Sequence, residues 1–391
     1  MMLALLYLLD RTLRLLALRD FFRRPPPPDP PDWPSVTLIQ PVTWGTHDLR
    51  RALVSRTTLD YPGPQQHLLV CDQADTMSQQ IVRKLIAEHP AWSAELVLVA
   101  PNTGSLASKL DKIVASLPHA TGDVLVFVDD DLRLPTDALR TLLPHLWLPG
   151  NGATFGLARY EAWETPWSSL MSLFVNASAL PSYVPLTYLT ESYTVTGHCF
   201  ALRREVFAAA GGFTQMEGRI DDDHELARRV RAIGLRCVQT PLIYGVENRL
   251  STARAYHTQM RRWITIPRLT MLPHLSAREQ IATFVSSAGN LLPPLAALIL
   301  LGGPRSLRKN SRVGGAMACL SLFLATYALV DHTYLGSVTP IRRWPLLIIT
   351  ALITPLHILA ISLGGDEIEW RGQRIRVRLG GGLEVIADCR L

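Results

Sequence analysis

Three stretches in the last third of the sequence, residues 281–302, 313–330 and 344–363, carry no Asp, Glu, Lys or Arg. A run of about 20 apolar residues without charge is the length that crosses a bilayer as a helix. The pattern predicts membrane helices over 281–302, 313–335 and 344–363, inside a membrane part spanning 276–365. Buried helices of a large soluble core are the bland alternative. Composition favours the membrane: charged residues are 18% of the chain, below the roughly 25% of soluble domains. Any chemistry must then come from the residues ahead of these stretches.

Residues 1–24 (MMLALLYLLDRTLRLLALRDFFRR) read as a helix whose apolar stripe is interrupted by Arg11, Arg14, Arg19, Arg23 and Arg24. An amphipathic N-terminal membrane anchor helix at the interface fits better than a span. No small-residue cleavage site follows, so no cleavable signal is expected. Residues 25–34 (PPPPDPPDWP) form a stiff extended linker. A catalytic domain is expected over 35–275, and a small β-hairpin-like tail over 366–391.

Within 35–275 short apolar runs alternate with helical patterns. Strands are expected at 36–42, 67–72, 95–100 and 123–131, with a helix from Ser78 to His89. Short buried strands separated by helices indicate an α/β fold with a mostly parallel sheet, whose ligand-binding loops sit at the strand C-termini.

The positive-inside tendency leaves two topologies open. If all three apolar stretches cross, the basic loop 303–312 and the Arg-rich tail lie opposite the catalytic domain. If 281–302, broken at Pro293-Pro294, is re-entrant or interfacial, both lie on the catalytic side.

The net charge is +6, and only four of the 39 basic residues are lysine (Lys84, Lys109, Lys112, Lys309). An arginine-rich chain suits an anionic membrane surface or a phosphate-bearing ligand. No basic run interleaved with aromatics supports nucleic acid, which is set aside as a partner. The five cysteines show neither zinc spacing nor a disulfide framework, so a reducing compartment is expected.

Four constellations carry chemistry. Asp129-Asp130-Asp131 ends an apolar strand, and the D-x-D pair Asp129 and Asp131 offers hard oxygen ligands suited to Mg²⁺ or Mn²⁺ on a diphosphate. Capping of the next helix is the bland alternative. Asp72 ends an earlier strand, where a carboxylate can accept from a base or ribose; Asp75 serves equally as a helix N-cap. Asp221-Asp222-Asp223 opens a helix, where mutual repulsion raises at least one pKa, as a general base requires; a plain capping cluster is the bland alternative. Gln259-Met260-Arg261-Arg262-Trp263 offers a guanidinium fork for a diphosphate and a flat aromatic face, or alternatively an interfacial amphipathic helix.

Taken in order, these motifs resemble the family-2-like inverting glycosyltransferases of GT-A (Rossmann-like) fold, and among them the ceramide glucosyltransferase (glucosylceramide synthase) family. The resemblance runs from about Val36 to the end. It includes VTGHCFALRREVFAAAGGF (195–213), DDDHELARRVRAIGLR (221–236), HTQMRRW (257–263) and EIEWRGQRIRVRLGG (367–381). Two departures stand out: residues 1–24 replace a full transmembrane helix, and Leu180-Pro181 stands where eukaryotic members carry a histidine before proline.

The resemblance implies that Asp72 or Asp75 contacts uridine and that Lys109 sits near the nucleotide. Asp129 and Asp131 would hold Mg²⁺ or Mn²⁺ on the UDP diphosphate, and Asp223 would be the base. Gln259, Arg262 and Trp263 would complete the catalytic set. Asp222 is expected on the acceptor side, where His198 either lines the site or sits satisfied in the core. The uncharged stretch 163–193 is expected to face the lipid.

The expected enzyme is a membrane-bound inverting hexosyltransferase moving glucose from a UDP-sugar to the primary hydroxyl of ceramide. Its catalytic domain would be cytoplasmic, in a bacterial inner membrane. The alternatives are transfer to diacylglycerol, a hopanoid or polyprenyl phosphate; a processive polysaccharide synthase; and a non-catalytic lipid- or nucleotide-binding membrane protein.

Overall fold

The computed structural model describes residues 2–43, 48–100, 108–216, 219–287, 302, 309–370 and 373–388. In chain order the first elements are α1 (Met2–Arg23), β1 (Val36–Pro41), α2 (Leu49–Thr57), β2 (Gln65–Asp72), α3 (Thr76–Glu88), β3 (Ala94–Val99) and α4 (Ser108–Ser116). Next come β4 (Val124–Val128), β5 (Leu132–Arg133), α5 (Ala138–Leu142), β6 (Asn151–Tyr160), α6 (Pro166–Leu189), β7 (Cys199–Arg203), α7 (Arg204–Ala209), α8 (Asp222–Ala232) and β8 (Arg236–Val246). The chain continues with α9 (Ala253–Ile266), α10 (277–287), α11 (Lys309–Thr333), α12 (Trp344–Ser362), β9 (Glu367–Trp370), β10 (Gln373–Val377) and β11 (Leu383–Asp388).

These elements form two compact units. A sheet unit holds residues 25–158, 191–247 and 369–391; a helical unit holds 1–24, 159–190 and 248–368.

In the sheet unit eight strands run in the order β3-β2-β1-β4-β7-β6-β8-β5. The first four pair in parallel; β4 and β7, β7 and β6, and β5 and β8 pair antiparallel. The four expected strands are present, each within a few residues of its expected bounds. Every residue of β1 and β4 is buried: β4 reads as an unbroken apolar run, and β1 is apolar apart from the buried Thr37 and Gln40. Behind β4, Phe127 stacks on Phe200 at 4.8 Å and meets Phe213 edge-on at 5.5 Å. That aromatic cluster fixes the strand end from which the acidic turn departs. The tail is a three-stranded sheet, β11-β10-β9, where a hairpin was expected.

In the helical unit α1 is a helix, as expected, but two of its arginines do not face outward. Its inner stripe is Tyr7, Arg11, Arg14, Leu18 and Phe21, while Leu5, Leu6, Leu8, Leu9, Leu13 and Leu16 are about half exposed. The reason lies in α6, which contains Pro181 and Pro185. Proline has no N–H, so Pro185 leaves the carbonyl of Pro181 without its helical donor. Arg14 Nη1 donates to that carbonyl and to the carbonyl of Ser286 at 2.5 Å each, and Nη2 donates to the carbonyl of Val285 at 2.9 Å. Asp10 accepts from Arg14 Nε at 2.8 Å.

The stretch 163–193 is thus mostly one helix, and its buried residues include Ser168, Ser169, Ser172 and Asn176 as well as leucines. Among the described residues two helices, Val313–Thr333 and Ile341–Ser362, are long and apolar enough to cross a membrane. Of the expected helix 281–302, residues 281–287 and 302 are described and 288–301 lie outside the described residues.

Candidate active site

The site in the sheet unit is built on the C-terminal end of β4. Asp129 donates its N–H to the carbonyl of His198 at 2.9 Å, tying the acidic turn to the residue that leads into β7. The turn's main chain is also held by Arg56 of α2, only 1% exposed. Arg56 donates to the carbonyl of Asp129 at 2.9 Å and to that of Leu132. Asp130 turns away from the others and accepts from the Thr43 N–H at the end of β1. Asp130 therefore fixes the turn, leaving Asp129 and Asp131 as the D-x-D pair.

Lys109 of α4 lies among the carboxylates. Its ammonium is 2.6 Å from Asp129 Oδ1 and donates to the carbonyl of Gly197 at 2.7 Å. Burial alone would lower its pKa; Asp129, Asp222 and Asp223 together raise it above the ordinary lysine value.

Asp222 and Asp223 occupy the first turn of α8. Asp223 Oδ1 accepts from the His224 N–H at 2.8 Å. Its other oxygen faces Gly197: a Cβ on that glycine would lie 2.8 Å from Asp223 Oδ2. Only glycine leaves room for the carboxylate there. Burial, then the neighbouring Asp222 charge, push the Asp223 carboxyl up to about 7, against the opposing pull of Lys109. Asp222 is raised by burial, again opposed by Lys109. Burial, followed by Asp129 and Asp130, holds Asp131 well above the usual carboxylate range.

Two oxygens in this group, Asp131 Oδ1 and Asp222 Oδ2, are buried and accept no hydrogen bond. Buried acids with unfilled oxygens are costly unless a cation or donor arrives. Among the described residues no group of three or more His, Cys, Asp or Glu converges as a metal site. Asp129 and Asp131 therefore fit a hard divalent cation that takes its remaining ligands from a diphosphate and water.

Asp72, at the end of β2, is paired with the buried Lys112 at 2.8 Å. It borders a cavity of about 400 Å³ also lined by Val99, Ser108, Asp111 and Lys112. Asp75 is 1% exposed and caps α3, accepting from the Ser78 N–H at 3.1 Å. Among the described residues, Asp72 lines this cavity and Asp75 does not. The His198 ring lies 6.3 Å from that of Tyr244.

Gln259, Arg262 and Trp263 belong to the helical unit, on α9, whose N-terminus is capped by Thr252 accepting from the Ala255 N–H at 3.1 Å. Trp263 packs edge-on against Tyr160 at 5.8 Å. Arg261 of the same motif donates to the carbonyl of Glu367 at 2.7 Å.

Asp129, Asp131, Asp222, Asp223 and Lys109 are thus brought together. Gly197, Lys112 and Arg56 belong to the same constellation and were not anticipated. A signal for Lys112 existed: in a chain with four lysines, two lie one turn apart in SKLDK. Each pairs with a different site acid.

The family profile of Glycosyl transferase family 21 matches residues 1–383. A beta-monoglucosyldiacylglycerol synthase from Synechocystis sp. is 25% identical over 223 residues, which are 53% of this chain and 42% of that protein. The chain thus spans about two fifths of that relative's length. Among solved structures, a mannosyltransferase from Pyrobaculum calidifontis in complex with GDP-Man and Mn²⁺ superposes with a TM-score of 0.52 at 18% identity. The match covers 92% of this chain and 96% of that one. The architecture is that of the GT-A glycosyltransferases.

Proposed function

The chain belongs to glycosyl transferase family 21, and on that premise we propose that it transfers glucose from UDP-glucose to the primary hydroxyl of ceramide, with inversion, giving a β-glucosyl lipid. The observation that carries this reading is Asp223. Its carboxyl is pushed up to about 7 and is backed by Gly197, whose carbonyl holds the same Lys109 that pairs with Asp129. A base poised near neutrality, in one constellation with the donor acids, is what a weakly nucleophilic alcohol requires.

In the reaction, Asp223 takes the hydroxyl proton as the oxygen attacks the anomeric carbon, and the bond from that carbon to UDP breaks in line. One displacement turns an α-linked donor into a β-glycoside. Lys109 places a fixed positive charge beside Asp129, and Asp72 with Lys112 borders the cavity assigned to the nucleoside. Mg²⁺ or Mn²⁺, when bound by Asp129 and Asp131, supplies neutralisation of the diphosphate leaving group. Asp222 is assigned to the acceptor side. Gln259, Arg262 and Trp263 are assigned to the donor and acceptor on their motif alone, Arg262 as the diphosphate guanidinium. Crossing of a bacterial inner membrane by α11 and α12, with the sheet unit cytoplasmic, completes the reading. The charge-free stretches 313–330 of α11 and 344–362 of α12 support it.

Diacylglycerol is the second acceptor to weigh, because the Synechocystis relative is named for a glucosyldiacylglycerol product. The deciding experiment offers UDP-glucose and Mn²⁺ or Mg²⁺ to the full chain in lipid nanodiscs, with ceramide and diacylglycerol in parallel. β-Glucosylceramide is the expected product. Transfer to diacylglycerol alone moves the assignment to the second acceptor, and transfer to neither lipid sinks both.

A further inference from the structure

Four acids stand within five residues at the start of α8: Asp221, Asp222, Asp223 and Glu225. They are not treated alike. Arg219 forks onto Asp221, donating from Nε to Oδ1 at 3.0 Å and from Nη2 to Oδ2 at 2.8 Å. Glu225 is taken by Arg228, at 2.8 Å to each oxygen, and by Arg229 at 2.9 Å. Asp221 and Glu225 are both buried, so these cations offset the hydration each carboxylate gives up. Because Asp221 is engaged by Arg219, its side chain makes no cap on the helix it precedes. Asp222 and Asp223 are left for the site.

Arg219 is held from its other side by the C-terminal sheet. The turn from β10 to β11 is closed by the Arg378 N–H donating to the Gly382 carbonyl at 2.7 Å and the Gly381 N–H to the Arg378 carbonyl at 3.1 Å. It needs φ of +87° at Gly380 and +101° at Gly381, a region side chains avoid. A Cβ on Gly381 would lie 2.7 Å from Arg219 Nη2 and 3.1 Å from its Cζ. The bare α-carbon therefore lies directly on the guanidinium.

We propose that the glycine turn of the C-terminal sheet and Arg219 form a positioning device for the base: the turn confines Arg219 on Asp221, and through Asp221 it sets the first turn of α8 that carries Asp223. The catalytic assignment rests on the function proposed above; the mechanical coupling does not. A guanidinium free to leave Asp221 would leave a buried carboxylate beside Asp222 and Asp223, and the helix start would shift to relieve it. Displacement of a reacting group by about 1 Å costs on the order of 100-fold in rate.

The test uses the full chain in nanodiscs with Gly381→Val, Arg219→Met, Arg219→Lys and, as a control, Leu379→Ala on the exposed tip of the same turn. Two readouts are taken: sugar transfer, and amide exchange over 222–226 compared with β1 and β2. Gly381→Val and Arg219→Met are expected to lower kcat about 10- to 100-fold with KM for the donor unchanged, and to speed exchange at 222–226 alone. Arg219→Lys should recover part of the rate, and Leu379→Ala should match wild type. Wild-type kcat and exchange in Gly381→Val overturn the proposal. So does a parallel loss of donor affinity, kcat and protection in β1 and β2, which marks the turn as a general folding element. If the wild type transfers no sugar, the proposed function falls, and the exchange comparison alone decides the coupling.

Discussion

In the helical unit Arg14 is 5% exposed and its guanidinium is engaged by three carbonyls and Asp10. In the sheet unit Asp131 and Asp222 each bury an oxygen that accepts nothing. The first is a buried charge enlisted to fill a helix carbonyl that proline leaves open. The second is a set of buried charges left incomplete, at a strand end where GT-A folds bind donors. Satisfied buried charge marks structure and unsatisfied buried charge marks work, since the same desolvation applies to both. Substitutions in the two units should therefore move stability and activity in opposite directions.

The largest effect is expected at Asp223. Asp223→Asn should lower transfer by about 10²- to 10⁴-fold while raising the melting temperature at pH 8. The sign follows from linkage. A carboxyl at about 7 when folded and about 3.9 when unfolded holds its proton more tightly in the native state. Its contribution is full at low pH and is lost as pH rises through about 7. Asparagine carries no such loss. Thermal melts of the two proteins at pH 5 and pH 8 check it: the gap should widen from the lower pH to the higher.

Arg14→Met should do the reverse. Three carbonyls lose this donor and Asp10 keeps only Arg11, at a cost of about 3 kcal/mol, while kcat per folded molecule stays at the wild-type value. Denaturant midpoints combined with active-site titration would show it, and a fall in kcat at constant stability would break the comparison.

A smaller change is expected at Lys109. Its removal in Lys109→Met takes away the cation opposing burial at Asp223. The acidic limb of the pH–rate profile should then move upward by about one unit, measurable as kcat against pH under saturating donor. The smallest effect is a rescue. Pro185→Ala returns an N–H to the carbonyl of Pro181, so in the Arg14→Met background it should restore about 1 kcal/mol. A double-mutant cycle measures that term.

Much of the site was readable because buried parallel strands leave a plain trace. VLVFV is apolar on both faces, and carboxylates directly after such a run can only be at its mouth. Asp221-Asp222-Asp223 before a helical pattern was readable for the same local reason. What escaped were pairings between distant segments: Lys112 with Asp72, Gly197 with Asp223, Arg219 with the Gly381 turn. The antiparallel half of the sheet was equally hidden, because β5 has two residues and exists only through its pairing with β8. In α1 the arginines read only as interruptions of an apolar stripe, and the inward turn of Arg14 was dictated by a proline in another helix. Local periodicity carries no record of a carbonyl left open elsewhere.

The sheet unit is entered three times by the chain, at residues 25, 191 and 369. A bilayer counts crossings by parity, and a compact body cannot lie on both of its sides. Each excursion out of the sheet unit and back must therefore cross an even number of times. The first, 159–190, contains one helix of 24 residues, long enough to span at about 1.5 Å per residue but unable to do so alone. On the membrane reading proposed above, the second, 248–368, is crossed by α11 and α12, which close the count as a pair. A third crossing there would strand the glycine turn on the far side of the membrane from Arg219.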